Sequence, residues 1–168
     1  MILLDRTWKP TGISRKCGAC TACCIAPPIT ELDKLPGEPC GYLCSEGCSI
    51  YDTRPPTCRG FACEWLWGMG TLAQRPDRMK AMPTPARHDG QLALYLLDGT
   101  TPDTLSREAE RFIRHWHRRK RTTVICLHGE GYSTSTGIFP DGFRADKPTE
   151  WEGKLPPSMH KDNPGNTR

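Results

Sequence analysis

Cys17-Gly18-Ala19-Cys20-Thr21-Ala22-Cys23-Cys24 opens a stretch that runs to Cys63 and holds nine of the chain's ten cysteines. Thiols packed at two- and three-residue gaps are what a soft metal ion needs. A Cys-x2-Cys step turns the backbone so that both sulfurs face one ion about 2.3 Å away. Cys17, Cys20 and Cys23 repeat that step in series, as in the Cys-x2-Cys-x2-Cys run of iron–sulfur proteins. Tetrahedral zinc sites are more often assembled from two separate knuckles. Cys40-x3-Cys44-x3-Cys48 and Cys58-x4-Cys63 offer the second one. Spacing alone leaves both metals open.

Nine thiols exceed the four that one centre needs, so either two centres share the stretch or some cysteines are spectators. Cys23 and Cys24 are adjacent, and adjacent side chains of extended backbone point opposite ways. They are not expected to serve one mononuclear ion together. One ligates while the other bridges, belongs to a second centre or packs in the core. Four thiolates around Zn²⁺ or a [4Fe-4S]²⁺ core leave about two negative charges, which Arg54 and Arg59, flanking Cys58, are suited to offset. Pro55 and Pro56 stiffen the approach to Cys58 by fixing φ. Tyr51, Phe61, Trp65 and Trp67 are candidates to wall the site from water. Each of these residues also has an ordinary reading, as exposed arginine, turn proline or core aromatic. The competing reading of the cluster is a disulfide framework. Its odd count, and the absence of an export signal in Met1–Trp8, where Asp5 and Arg6 interrupt the apolar run, speak against that. A reducing cytoplasm is the expected location, and no run approaches the roughly 20 apolar residues of a membrane span.

Taken together, Cys17-x2-Cys20-x2-Cys23-Cys24, then Cys40, then Gly47-Cys48-Ser49-Ile50-Tyr51-Asp52-x-Arg54-Pro55-x2-Cys58-Arg59-x-Phe61-x-Cys63 resembles the YkgJ-type cysteine-cluster family. The resemblance covers about residues 15 to 67. That family is described as a zinc- or iron-chelating domain and is often labelled an iron–sulfur-cluster protein. The resemblance implies that Cys17, Cys20, Cys23, Cys24, Cys40, Cys48, Cys58 and Cys63 chelate the metal; Cys44 falls outside the pattern. The family also resembles a module of flagellin lysine methylases. No glycine-rich loop follows a strand here to hold a nucleotide-like cofactor, so methyl transfer is not carried over.

The 168 residues suit one domain, or one domain plus a small metal-held module. With 36% hydrophobic residues, 16 glycines and 16 prolines, much of the chain is expected to be loop, stabilised by metal–thiolate bonds. The expected fold is α+β: an irregular cysteine-rich metal-binding module over 14–68, a connector over 69–90, a strand–helix–strand unit over 91–144 and a flexible tail over 145–168. A short helix capped by Thr30 is expected before Pro36-Gly37. Gln91–Leu97 and Thr122–Leu127 read as strands. Thr101-Pro102-Asp103 reads as the start of a helix running to 121, with Leu105, Ala109, Phe112, Ile113 and Trp116 on its buried face. The second unit is expected to pack on the first and shield the centre.

The basic run Arg114–Arg121 reads as the solvated end of that helix, where cations suit the dipole, and nucleic acid is not an expected partner at a net charge of +4. Cys126 and His128 share a strand face, and Cys126 reads as a core thiol. His88 and His160 carry no motif, and no Ser-His-Asp order points to a catalysed reaction. The functions that compete are redox or electron transfer through a [4Fe-4S] cluster, a zinc-stabilised module that binds a protein partner, and metal chelation or delivery. The serial Cys17/Cys20/Cys23 triple favours the iron–sulfur cluster.

Overall fold

Leu92-Ala93-Leu94-Tyr95-Leu96 is apolar on both sides because both of its faces are covered. The computed structural model describes residues 15–85, 92–120 and 123–148. The chain is α+β. Its centre is a five-stranded sheet in the order β3-β4-β5-β6-β7, formed by Ala81–Pro85, Leu92–Leu96, Val124–His128, Thr134–Ile138 and Arg144–Pro148. β4 and β5 run parallel, joined through the crossover helix α3 (Arg107–Lys120); the other neighbours pair antiparallel. A separate two-stranded hairpin, β1 (Leu43–Cys44) with β2 (Gly47–Cys48), lies in the cysteine-rich part, together with the one-turn helix α1 (Pro56–Gly60).

The strand alternation sorts the core into two layers. Leu92, Leu94, Leu96, Val124, Cys126 and Ile138 pack under α3 against Ala109, Phe112 and Ile113, with Met79 and Ala81. Met82, Tyr95 and Leu97 face the other way, onto Ala22, Ala26, Cys63, Trp65 and Tyr132. Cys20, Cys23 and Phe61 pack against this second layer. The cysteine-rich part therefore covers one face of the sheet, as expected, and α3 the other.

Several boundaries differ from the expectation. The stretch 69–90 is built structure rather than a connector: α2 (Pro76–Met79) leads into β3, with residues 86–90 outside the described residues. Pro83 and Pro85 mislead as breakers because β3 is an edge strand, where a missing N–H costs no ladder bond. The outward carbonyl of Pro83 accepts the Glu64 N–H at 3.1 Å. The strand–helix–strand unit gains β6 and β7, and β7 extends to Pro148, into the expected tail; residues 149–168 lie outside the described residues.

α3 starts at Arg107, not at Thr101-Pro102. Thr101 instead closes a tight turn with Thr104, whose N–H donates to its carbonyl at 3.0 Å. Ser106 takes over as cap, its hydroxyl accepting the Ala109 N–H at 3.1 Å and donating to the Met79 carbonyl at 2.6 Å. The helix expected after Thr30 shrinks to a single 3-10 turn, Thr30–Leu32, ended by Asp33 in the left-handed region at φ 48°. The strands run over Leu92–Leu96 and Val124–His128, with Gln91 and Thr122 outside the described residues.

On α3, Arg114 pairs with Glu110 at 3.4 Å in solvent, and Trp116 packs on the core, as the amphipathic reading requires. His117 Nε2 lies 3.0 Å from the Ile138 carbonyl oxygen. Arg121 lies outside the described residues. His128, on the face it shares with Cys126, joins a polar chain: its Nε2 sits 2.7 Å from the Thr136 hydroxyl, which donates to Asp146.

Candidate metal centre

Cys17 to Cys24 form two successive tight turns. The Cys20 N–H donates to the Cys17 carbonyl at 3.0 Å, with Gly18 between them at φ +55°, and a 3-10 turn, Ala22–Cys24, follows. Cys17 is exposed, Cys20, Cys23 and Cys24 are half-buried, and Cys40 and Cys63 are buried. The Cys40 N–H donates to the Cys24 carbonyl at 2.8 Å, and the Leu43 N–H to the Cys40 carbonyl at 2.9 Å. Cys48 stands across the β1–β2 hairpin from Leu43. Cys58 sits on α1, whose Thr57 is tied to Glu31 through its N–H at 3.2 Å. The eight cysteines expected to act as ligands lie on the Cys17–Cys24 turns, at Cys40, on the β1–β2 hairpin, on α1 and at Cys63 beyond it. Cys44 is exposed at the hairpin, and Cys126 is buried on the α3 face of the sheet, with the sheet between it and the module. All ten cysteines are free, so no disulfide framework is present.

Thiol electrostatics trace the neighbourhoods. Burial pushes Cys58 up to about 11, reinforced by Cys24, Cys40, Glu31 and Cys48. Burial pushes Cys63 up to about 12, with Cys17 and Cys20 adding to it against hydrogen bonds from the Leu66 and Trp65 N–H groups. Cys17 is raised by burial, Cys20 and Cys24, against Arg54 and Arg75. Cys20 is raised by burial, against the backbone N–H groups of Ala22 and Asp77. Cys23 and Cys24 share a thiol–thiol hydrogen bond. It raises Cys23 and lowers Cys24, which Lys34 and Arg54 lower further. Among the described residues, no three Cys, His, Asp or Glu side chains stand as ligands of one ion. The donor set suits a thiophilic ion; its sulfurs are neighbours, not a closed cage.

Arg54 adds a positive charge that lowers Cys17 and Cys24 against the effect of burial. It stacks 3.6 Å from the Tyr51 ring centroid and donates to the Tyr51 carbonyl at 2.7 Å. Arg59 does something else: it braces the loop, donating to the carbonyls of Arg54 at 2.7 Å and Asp52 at 3.3 Å. Tyr51 is 59% exposed and so does not wall the site; Trp65, buried, and Phe61, half-buried, stand on the sheet side of the thiols.

Three cations escaped the sequence reading. Lys34 is buried, and its ammonium donates to the carbonyls of Ile25 at 2.8 Å, Pro27 at 2.7 Å and Leu35 at 3.0 Å. Burial lowers it to about 8, opposed by Cys40, Cys24, Glu38 and Cys58. Arg75, held by Asp77 at 2.6 Å, lies in reach of Cys20 and Cys17. Arg15 lies 4.9 Å from the Trp65 ring centroid and in reach of Cys63, donating to the carbonyls of Trp65, Met69 and Gly70. No local pattern marks these three as site residues; only the fold brings them to the sulfurs.

Lys34→Met is expected to destabilise the chain by about 3 kcal/mol, because three inward carbonyls lose one charged donor. Urea denaturation of the variant beside the parent checks it; an unchanged midpoint would show the ammonium to be dispensable.

No family model matches the chain, and neither a curated protein nor a solved structure does. No helix of the described residues is long and apolar enough to cross a membrane.

Proposed function

We propose that residues 15–67 form a thiolate metal-binding module of the YkgJ type, that it carries an iron–sulfur cluster, and that the protein works in redox or electron transfer. The observation that carries this reading is the gathering of Cys17, Cys20, Cys23, Cys24, Cys40, Cys48, Cys58 and Cys63 into one module, free of disulfides and lined by Lys34, Arg54 and Arg75. Thiolates clustered with cations are suited to hold a soft, electron-rich centre, and cluster potential responds to burial and local charge. The Cys17/Cys20/Cys23 series supports iron–sulfur chemistry over zinc. A reducing compartment such as the cytoplasm suits ten unpaired thiols.

Zinc, serving only to fold the module or to be chelated and delivered, is the second reading. The tight β1–β2 hairpin ending at Cys48 favours it, since paired knuckles are a common zinc scaffold. Anaerobic purification separates the two. A brown protein with iron and acid-labile sulfide supports the cluster; a colourless protein with zinc replaces it; a fully folded chain with neither metal removes both. Cys20→Ser is expected to lose most of the bound metal, and Cys126→Ser to keep the parental content, because Cys126 lies across the sheet. Metal content that followed Cys126 and ignored Cys20 would sink the site assignment.

A further inference from the structure

We propose that the outer face of α3, together with Phe143 on the turn between β6 and β7, is a docking surface for an acidic protein segment that carries carboxylates around a small apolar centre. The surface lies apart from the cysteines, and its function does not depend on the metal-binding reading.

α3 turns Ala109, Phe112, Ile113 and Trp116 to the core and leaves Arg107, Arg111, Arg114 and Arg118 exposed. Steps of four, three and four residues put those arginines in one stripe, about 16 Å long at about 1.5 Å per residue. Helix stability does not account for the stripe. Cations suit the C-terminal end, where Arg118 and Arg119 lie, but Arg107 is the first residue of α3, where the dipole disfavours a positive charge. Glu108 holds Arg111 at 2.6 Å, and Glu110 reaches Arg114 only at 3.4 Å. Arg107, Arg118 and Arg119 form no ion pair among the described residues.

The stripe ends beside an exposed aromatic ring. His117 Nε2 lies 3.0 Å from the Ile138 carbonyl oxygen, which brings the last turns of α3 onto the end of β6. Phe139-Pro140-Asp141-Gly142-Phe143 then forms a tight turn. The Phe139 N–H donates to the Phe143 carbonyl and the Gly142 N–H to the Phe139 carbonyl, each at 2.9 Å, and the Asp141 carboxylate accepts the Phe143 N–H at 3.0 Å. The rings of Phe139 and Phe143 pack with centroids 5.4 Å apart, yet Phe143 stays 60% exposed. A turn closed this way presents its ring with little further ordering cost on binding. Arg114 precedes His117 by three residues and so shares its side of the helix. Exposed aromatics beside arginines are the residue types that carry binding energy at protein interfaces. Phe143 supplies the anchor, and the guanidinium forks take carboxylates in paired hydrogen bonds.

Two features set the class of partner. Glu108 and Glu110 interrupt the positive field along the stripe, which suits separated carboxylates better than the unbroken charge of a phosphate backbone. Trp116 packs on the core, so the helix offers no ring on which bases could stack.

A short fluorescent peptide of glutamates around a central pair of leucines, titrated into the full chain and followed by anisotropy, measures the docking. The same peptide with glutamines, and a labelled oligothymidylate, are run beside it. Binding of the glutamate peptide alone, with amide NMR shifts confined to Arg107–Arg119 and Phe139–Phe143, supports the proposal. Arg114→Ala combined with Arg118→Ala should weaken that binding about tenfold, and Phe143→Ser about fivefold. Arg78→Ala, at an exposed arginine outside the patch, should leave it unchanged. All these side chains are exposed, so each variant should melt at the parental temperature; if Phe143→Ser does not, the arginine pair decides. No binding of the glutamate peptide, equal binding of the glutamine peptide, tighter binding of the oligothymidylate, or a loss with Arg78→Ala as large as with the α3 pair would each overturn the proposal.

Discussion

Removing the metal from the full chain is expected to unfold residues 15–67 while β3–β7 and α3 keep their pairing. Every element of that module is too short to stand alone: 3-10 turns of three residues, strands of two and a helix of five. Its buried apolar side chains are few, with Trp65 the largest. Metal–thiolate bonds contribute on the order of 10 kcal/mol to the folding of small sites of this kind, far more than these elements supply by packing. Hydrogen exchange before and after a strong chelator measures it. The amides of Cys24, Ala26, Cys40 and Leu43, bonded inside the module, should lose protection, and those of Leu94 and Cys126 should retain it. Identical protection with and without chelator would mean that the module holds its shape unaided.

Phe112→Ala should cost about 3–5 kcal/mol and leave the metal content untouched. Phe112 is 3% exposed at the centre of the α3 layer, and its ring also approaches Gly70, at φ +75°, closely enough that a Cβ there would meet it at 3.2 Å. Removing the ring leaves a cavity that close-packed neighbours on α3 and the sheet cannot fill. Thermal unfolding and elemental analysis of the same preparation check both halves of the statement. A variant of parental stability would place the core elsewhere. A variant of lost stability and lost metal would show that the two layers of the sheet fold as one.

The contrast between these experiments follows what could be read from the chain. Cysteine spacing is a local signal, because it is read out by turns a few residues long, and the turns at Cys17–Cys20 and Ala22–Cys24 follow it. Leu92–Leu96 was nearly legible for the same reason, since a strand buried on both faces is a continuous apolar run, and Val124–His128 because Val124 and Cys126 are buried on one face with apolar Ile125 and Leu127 on the other. β3 was hidden by Pro83 and Pro85, whose tolerance depends on being at the sheet's edge, a property of the whole sheet. Thr134-Ser135-Thr136-Gly137-Ile138 lacks strong alternation and is a strand because β5 and β7 flank it. Thr101-Pro102 imitates a helix start, but Ser106 wins because its hydroxyl also bonds the Met79 carbonyl. Lys34 and Arg15 are marked by no pattern at all; their role is set by carbonyls that only the finished fold directs at them.

The two prolines of β3 have a last effect. Along that border Pro83 and Pro85 offer no amide hydrogen to a stray strand, and Glu64 already occupies the Pro83 oxygen. Lateral growth of the sheet, whether into fibrils or into a ribbon shared between copies, is closed from that side.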